Sequence, residues 1–269
     1  MTDTSLRAVV FDWAGTVIDH GSQAPMGVFV KAFAQFGVEI TVDEARGPMG
    51  MAKRDHIATL LRAPRIAEAW ARRHGQAPGE SDIDALYAVF VPMNVAVVTD
   101  FATLIDGAAA MVHRLRARGL KIGSTTGYIR EIMAPLLPLA AAQGYAPDNL
   151  VCAGDLSEGR PTPMMMYRCF LDLGVWPAWK VVKVDDTEVG IAEGLNAGCW
   201  TVGVALTGNV FGLNPAETTA LDPVTYSRMR ADAYAKLRRS GAHFVVDSVA
   251  DLEPVLDQIN GALARGQRP

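Results

Sequence analysis

The sequence predicts an α/β fold in which a parallel sheet carries an inserted, all-helical unit. Short apolar runs alternate with helix-like stretches through most of the chain, which is typical of parallel strands joined by crossover helices. Several of these runs end in polar residues, which places polar groups at one edge of the predicted sheet. A block of about 80 residues after the first strand contains helical patterns only, which indicates an inserted unit.

The composition is that of a globular protein, and its charge does not favour binding to nucleic acid. The chain has 269 residues, of which 50% are hydrophobic and 20% charged, which is enough for one α/β domain and a sizeable second unit. The net charge is −4, and no block of Lys and Arg supports contact with nucleic acid or an anionic membrane. A phosphate-type ligand must then be held by a few local groups.

The cysteines and the N-terminus indicate a reducing compartment. Cys152, Cys169 and Cys199 are widely spaced and odd in number, which fits neither a disulfide framework nor a zinc site, so we expect them in the core. The chain reaches Asp12 before a signal-peptide pattern could form, and no apolar run approaches about 20 residues. We therefore expect a cytoplasmic protein that does not enter a membrane.

The first predicted strand is the apolar run from Ala8 to Phe11, which leads directly into Asp12. Four consecutive apolar residues are too few for a core helix and are typical of a strand that is buried on both faces. Asp12 then stands at the carboxyl end of this strand, where open parallel sheets bind ligands. A turn that only begins a loop would also explain an Asp close to Gly15, so the residues alone leave both interpretations open.

The residues after this strand form the predicted helical insertion. Apolar residues recur at three- and four-residue spacings from Met26 to Phe36, and Gly37 ends this helix. Further helical patterns cover residues 42–46, 52–62, 64–74 and 81–98. We assign residues 21–99 to a helical cap, and residues 1–20 and 100–269 to the α/β core.

The alternation of strands and helices returns at Gly107. The predicted strands cover residues 120–127, 149–153, 181–186, 199–206 and 242–247. The predicted helices lie around residues 107–119, 129–143, 163–173, 188–197, 225–239 and 249–263. Between Thr207 and the helix that begins at Thr225, the abundance of Gly, Asn and Pro predicts a loop.

Polar side chains are expected at four places along the same sheet edge. Asp12, Thr126 and the pair Asp185–Asp186 end strands, and Arg160 lies in a loop. Each has a simple explanation when taken alone: a Thr-Gly turn, a solvated arginine, or an Asp pair that caps the next helix. Paired carboxylates nevertheless need a counter-ion to stay ionised together, and Mg²⁺ prefers carboxylate, carbonyl and water oxygens. The pair is therefore a candidate magnesium site.

The segment from Asp12 to Thr16, Asp-Trp-Ala-Gly-Thr, resembles the first signature of the haloacid dehalogenase superfamily. Thr126, Arg160 and Asp185–Asp186 are similar to its other motifs and follow in the same order. The resemblance implies a Rossmann-like core with an inserted helical cap, and it makes Asp12 a nucleophile toward phosphorus. It further implies that Thr126 binds a phosphoryl oxygen and that Arg160 stabilises charge on phosphorus.

The same resemblance implies a Mg²⁺ ion as cofactor. Its ligands would be Asp12, the backbone carbonyl of Ala14, and Asp186, with Asp185 in a supporting position. Some family members carry a further Asp four positions after the residue that matches Asp186, and this chain has Gly190 there. Asp185 or Glu188 could take its place, and the sequence leaves both possibilities open.

Ala14 separates this chain from most of the superfamily. The phosphatases and phosphomutases carry a second Asp at this place, which protonates an alkoxide leaving group, and alanine cannot act as a general acid. The Asp-x-Ala-Gly-Thr form resembles that of the phosphonatases, a family that breaks the carbon–phosphorus bond of phosphonoacetaldehyde. The segment from Gly47 to His56 is similar to the phosphonatase cap loop, in which Lys53 matches the imine-forming lysine.

This second resemblance implies a reaction. Lys53 condenses with the aldehyde, Asp12 attacks phosphorus, and the carbon leaves as an enamine, giving acetaldehyde and phosphate. The first turn of a helix disfavours an ammonium ion, so the position of Lys53 would help its amine to lose a proton. His56 lies three residues later on the same helical face and would move protons. The residues expected beside the substrate are Met49, Gly50, Gly127 and Tyr128.

Two alternatives differ from this interpretation. The first is a phosphatase of the same superfamily that acts on a small phosphate ester, and Ala14 argues against it. The second is a domain that binds phosphorylated ligands without catalysis, and an intact Asp12 argues against that. The resemblance also implies a homodimer that contacts through its caps, and the charge of the chain predicts no nucleic-acid or membrane partner.

Overall fold

The structure, a computed structural model, describes residues 5–269 and is built on a six-stranded parallel sheet. The strands, in the spatial order β3-β2-β1-β4-β5-β6, are β1 Ala8–Phe11, β2 Lys121–Thr126, β3 Val151–Cys152, β4 Val181–Asp185, β5 Trp200–Val204 and β6 Phe244–Val246. All five strand pairs are parallel. The fold class predicted from the sequence is confirmed.

The pairing of the central strands positions the polar residues at their ends. β1 lies between β2 and β4, and all four of its residues are buried. Phe11, the last residue of β1, is in register with Ser124 of β2 and Val184 of β4. Asp12 therefore emerges between the ends of these two strands, level with Asp185.

The described residues contain twelve α-helices. They are α1 Ala24–Gln35, α2 Val42–Arg46, α3 Lys53–Arg62, α4 Pro64–His74, α5 Glu80–Val98, α6 Ala108–Ala117, α7 Arg130–Ala142, α8 Met164–Leu173, α9 Glu188–Asn196, α10 Pro215–Ala220, α11 Pro223–Arg239 and α12 Leu252–Ala264. Helices α1 to α5 follow one another without a strand, and α5 packs against both α1 and α3. This supports the predicted cap, whose boundaries at residues 21 and 99 stay a prediction.

The apolar core continues from the sheet into the helical insertion. Phe11 and Trp13 belong to the same buried cluster as Phe29 and Phe90 of the insertion. Such a shared core stabilises both units, since burial of each large apolar side chain is worth about 2 to 3 kcal/mol. The three cysteines are buried and free, which confirms that they are core residues.

The stretch between Thr207 and Thr225 is not a loop throughout, as predicted, but contains the helix α10. Asn214 and Glu217 form a capping box there: the Asn214 side chain accepts from the Glu217 N–H, and the Glu217 carboxylate accepts from the Asn214 N–H. With Pro215 at the first helical position, these local bonds stabilise a short helix that has no buried residue and so shows no apolar periodicity.

One helical segment corrects the expectation about apolar stretches. Glu80–Phe101 has 22 residues and contains an 18-residue window with a mean hydropathy of 1.4, which is long and apolar enough to cross a membrane by length and composition alone. Its helix contains Pro92 and the buried Asn94, and it packs against α1, α3 and α7. These contacts are typical of the central helix of a helical bundle. The expectation that the protein does not enter a membrane stays a prediction.

Candidate active site

The strand ends and the helical insertion enclose a small cavity. Its lining consists of Asp12, Ala14, Ser22, Met49, Gly50, Lys53, Thr126, Gly127, Tyr128, Arg160 and Thr187. Nine of these were predicted from the sequence as site residues. The other two predicted residues, His56 and Asp186, are buried outside this lining. Residues that lie far apart in the sequence therefore meet in one place.

Arg160 neutralises the predicted nucleophile. Its Nη1 lies 2.8 Å from Asp12 Oδ1, and its Nη2 donates to the carbonyl and the hydroxyl of Thr125, both at 2.7 Å. Burial raises the pKa of Asp12 to about 6, helped by the charge of Asp185, while Arg160 and Lys183 oppose the rise. The guanidinium is thus fixed where it can also face a phosphoryl oxygen.

Two buried charges behind Arg160 were not predicted from the sequence. Glu193 of α9 lies 2.9 Å from Arg160 Nε and 3.1 Å from Lys183 Nζ, and its carboxylate accepts from the Thr125 hydroxyl at 2.9 Å. Lys183 also lies 3.1 Å from Asp185 Oδ2. Because buried charges must be paired, a lysine inside the apolar β4 run was the signal that an internal carboxylate faces it.

Three carboxylates at the strand ends could hold a metal ion. Asp12, Asp185 and Asp186 each offer an oxygen atom, and these atoms lie within 4.8 Å of one another. Burial and the charges of Asp12 and Asp185 raise the pKa of Asp186 well above its usual value. Glu193 is a fourth buried carboxylate beside them, and the buried cations that pair with members of this group among the described residues are Arg160 and Lys183. This excess of negative charge and the hard oxygen donors fit a divalent cation.

The carboxylate pair divides into two environments. Both Asp185 oxygens are engaged by the protein, since Oδ1 accepts from the N–H and the hydroxyl of Thr187 at 3.0 and 2.7 Å and Oδ2 faces Lys183 and Arg160. Burial raises the pKa of Asp185, but these two cations outweigh it and hold the pKa below its usual value. This favours a supporting position for Asp185.

The same region answers the question about Gly190. A Cβ atom at Gly190 would lie 1.9 to 2.2 Å from the carboxylate atoms of Asp185. Glu188 instead points to the surface, where it pairs with Lys236 at 3.2 Å. Asp185, not Glu188, therefore fills the space that a side chain at position 190 would need.

Lys53 lies in an apolar environment at the start of α3. The residue is 3% exposed, and its Nζ is 3.7 Å from Met49 Sδ and 5.1 Å from the centre of the Tyr128 ring. Burial lowers the pKa of Lys53 to about 8 with a contribution from Arg160, although Asp12 and other carboxylates act in the opposite direction. A buried lysine of this kind is partly neutral near physiological pH and so can act as a nucleophile.

His56 lies behind Lys53 and not in the cavity wall. Its Nε2 is 2.8 Å from the Ala45 carbonyl, to which it donates, and its ring stacks on Phe29 with centres 4.0 Å apart. Burial and the charge of Lys53 hold the pKa of His56 well below its usual value. Its Nδ1 has no hydrogen-bond partner among the described residues. The proton-shuttle role stays a prediction, with Nδ1 as the atom that would perform it.

Two further residues of the cavity lining have a hydroxyl group without a hydrogen-bond partner among the described residues. They are Tyr128 and Ser22, and both residues are buried. A buried hydroxyl without a partner costs about 1 to 3 kcal/mol, so a polar ligand that satisfies both would gain affinity. The sequence carried no signal for Ser22, because its placement depends on a left-handed backbone conformation (φ of 51°). Thr187 could have been found, since it follows Asp186 and caps α9.

The cap loop is pressed against the core at two glycines. A Cβ at Gly127 would lie 2.7 Å from the Met51 carbonyl oxygen and 3.0 Å from that of Gly50. A Cβ at Gly50 would lie 2.4 Å from the Thr187 hydroxyl. Only residues without a side chain permit this approach, which brings the loop before Lys53 against the ends of β2 and β4.

Replacing Gly127 by Ala is expected to lower kcat/KM of the reaction at this site about 100-fold, with little change in thermal stability. The added methyl group would displace a backbone carbonyl of the cap loop by a few tenths of an ångström or more, and small displacements of catalytic groups cost about this much. Gly27→Ala is the matched control, because nothing lies within 4 Å of a Cβ there. Equal rates for both variants would show that the contact is not needed.

The fold and the site together define a class of protein. A parallel sheet with a carboxylate after β1, a hydroxyl after β2, a loop arginine and a carboxylate pair after β4 is the arrangement of the haloacid dehalogenase-like hydrolases. The model of that family, described as a haloacid dehalogenase-like hydrolase, matches residues 6–198. At the level of fold alone, a β-phosphoglucomutase from Clostridium difficile is similar, with 16% identity over 97% of this chain and 99% of that one and a TM-score of 0.70.

More similar proteins narrow the class. Phosphonoacetaldehyde hydrolase of Paraburkholderia phytofirmans is 58% identical over 98% of this chain and 99% of its own length. The enzyme of the same name from Aeromonas hydrophila is 46% identical over 99% of this chain and 96% of its own length. The crystal structure of a phosphonoacetaldehyde hydrolase-like protein from Oleispira antarctica has a TM-score of 0.96 at 45% identity, covering 98% of this chain and 96% of that one. The chain belongs to the phosphonoacetaldehyde hydrolase family.

Proposed function

We propose that this protein hydrolyses the carbon–phosphorus bond of phosphonoacetaldehyde to acetaldehyde and phosphate. The observation that carries the proposal is that Lys53, Asp12 and Ala14 line one cavity. An amine that can form an imine thus lies beside a nucleophilic carboxylate whose neighbourhood lacks the usual proton donor. The 58% identical relative carries the name of this activity. A phosphatase acting on a small phosphate ester is the alternative that the experiment below excludes.

The amine of Lys53 provides the electron sink that the reaction needs. It adds to the aldehyde carbon, and loss of water leaves a protonated imine. When the carbon–phosphorus bond breaks, its electron pair is delocalised into an enamine, so no free carbanion forms. Protonation of the enamine carbon and hydrolysis of the imine release acetaldehyde and restore Lys53. No alkoxide arises, which is consistent with Ala14.

Asp12 performs the second half of the reaction. Its carboxylate attacks phosphorus in line with the departing carbon and forms an aspartyl phosphate, which water then hydrolyses to phosphate and free Asp12. Arg160 and the hydroxyl of Thr126 hold the phosphoryl oxygens during attack. A Mg²⁺ ion held by Asp12, Asp186 and the Ala14 carbonyl supplies Lewis-acid stabilisation of these oxygens when bound. Closure of the cap loop keeps bulk water from the phosphoenzyme.

The assembly and location of the protein stay predictions. The sequence resemblance implies a homodimer through the caps and a cytoplasmic enzyme. Among the large exposed apolar residues, one group lies on or just after α8 of the core: Met164, Tyr167, Leu171 and Trp176. Measuring the molecular mass in solution by light scattering tests the dimer.

Trapping the imine tests the proposed reaction. The protein is mixed with phosphonoacetaldehyde and reduced with borohydride, which converts an imine into a stable amine, and the adduct is located by peptide mapping. We expect a two-carbon adduct on Lys53 that disappears in Lys53→Arg and persists in Lys31→Arg, an exposed cap lysine. No adduct on Lys53, with phosphate released from simple phosphate esters instead, would favour the phosphatase alternative.

A further inference from the structure

We propose that Arg46 and Asn209 form a latch that couples closure of the cap to the position of Asp186. Both are then positioning residues for the phosphoryl-transfer site. The inference rests on the proposed function, because it takes Asp186 as a metal ligand. Nothing in the motifs of the sequence analysis involves either residue.

Arg46 joins the cap to the core segment around residues 209–212 and to the first residue of the insertion. It is the last residue of α2, and its Nη2 donates to the Gly212 carbonyl at 2.7 Å. Its Nη1 donates to the Gly21 carbonyl at 2.8 Å and to Asn209 Oδ1 at 3.1 Å. Three acceptors at fixed angles match the planar fork of a guanidinium, and the single ammonium group of a lysine cannot reach all of them.

Asn209 carries the connection from Arg46 to the reaction centre. Its side-chain Nδ2 donates to the Arg46 carbonyl at 3.3 Å, so these two residues hold each other by bonds in both directions. Its backbone N–H donates to Asp186 Oδ2 at 2.7 Å. Asn209 is 5% exposed, so neither bond is replaced easily by water. Arg46 thus lies two contacts away from Asp186.

The loop between the two charged groups is closely packed at two of its glycines. A Cβ at Gly208 would lie 2.4 Å from Asp186 Cβ, and a Cβ at Gly212 would lie 3.0 Å from Arg46 Cζ. The Gly212 carbonyl also accepts from Gln23 Nε2 at 2.8 Å, at the start of the insertion. The loop is therefore clamped between Asp186 on one side and the cap on the other.

These contacts link placement of the cap loop to orientation of the Asp186 carboxylate. Arg46 immediately precedes the loop that carries Met49 and Gly50 and leads into Lys53 at the start of α3, so its bonds to the core form only when that loop is in place. The same bonds hold the Asn209 N–H against Asp186. When the cap is open, Arg46 loses its core acceptors, and the donor that orients Asp186 is released with it.

Binding of Mg²⁺ to the protein alone, measured by calorimetry, is the first test of the latch. We expect Arg46→Met and Asn209→Ala each to weaken Mg²⁺ binding about tenfold or more, as is usual when a partner of a metal ligand is lost. Arg46→Lys is expected to restore little, because charge alone does not rebuild the three bonds. Arg62→Met, which removes an exposed cap arginine (side chain 71% exposed), is the matched control.

Coupling between the two residues provides the decisive readout. The double variant Arg46→Met/Asn209→Ala is expected to bind Mg²⁺ and turn over no more poorly than the more impaired of the two single variants. The reason is that both changes break the same connection. KM for the substrate should change much less than kcat. Thermal unfolding identifies any variant that does not fold. Asn209→Asp provides a second substitution at this position, because the Asp side chain is similar in shape to Asn.

The outcomes separate this inference from the proposed function. Unchanged Mg²⁺ binding and kcat in both single variants, or strictly additive losses in the double variant, would overturn the latch. The borohydride adduct on Lys53 of the wild-type protein tests the proposed function by itself. If the imine forms but the variants leave Mg²⁺ binding unchanged, only the latch is wrong. If the variants are coupled as expected but no imine forms, only the proposed reaction is wrong.

Discussion

Replacing Asp12 by Asn is expected to lower kcat/KM for phosphonoacetaldehyde by on the order of 10⁴-fold or more, which is the usual cost of removing a catalytic nucleophile. An amide oxygen keeps the size of the carboxylate but cannot attack phosphorus. The amide also cannot form the ion pair with Arg160, which lies 2.8 Å from the carboxylate in the structure. Release of inorganic phosphate measures the effect.

The Asp12→Asn variant also separates the two halves of the reaction. Its Lys53 is unchanged, so we expect borohydride to trap an imine on Lys53 that still carries the phosphono group, because the carbon–phosphorus bond stays intact and no phosphate is released. Asp257→Asn is the control, since this exposed carboxylate (side chain 67% exposed) pairs with Arg118 at the surface. Substantial phosphate release by Asp12→Asn would contradict the aspartyl-phosphate route and leave direct attack by water.

The fold was predictable because its signals are local. The run from Ala8 to Phe11 is apolar at every position and forms the buried central strand β1, and a residue at the carboxyl end of such a strand must emerge at the ligand-binding edge. Asp12, Thr126 and Asp186 follow from the same rule. Helix α10 escaped prediction because a capping box stabilises it without any apolar periodicity.

The residues that support the site were less predictable, because their partners are distant in the sequence. Glu193 reads as an ordinary polar residue of α9, yet it is fully buried against Arg160 and Lys183. Asn209 and Arg46 lie 163 positions apart and meet only after the cap has packed against the core. Their roles depend on contacts across two folded units, which periodicity and local motifs do not encode.

Lys53→Arg is expected to abolish carbon–phosphorus cleavage, with a loss comparable to that of the nucleophile, on the order of 10⁴-fold. A guanidinium keeps a positive charge in the cavity but never becomes neutral at accessible pH, so it cannot form an imine. Mg²⁺ binding, measured by calorimetry, should be retained, because Lys53 is not a metal ligand. Lys31→Arg should behave as the wild-type protein in both measurements.

The pH dependence of kcat/KM tests the same residue without a mutation. Because the pKa of Lys53 is lowered from 10.5 to about 8, roughly a tenth of the free enzyme carries a neutral amine at pH 7, against fewer than one in a thousand for an ordinary lysine. Deprotonation creates the nucleophile, so kcat/KM should rise nearly tenfold per pH unit below about 8 and level off above it. A flat profile over this range would mean that imine formation by Lys53 does not limit kcat/KM. A rise that continues to about pH 10 would show that burial, the first cause of the lowered pKa, does not act on this amine.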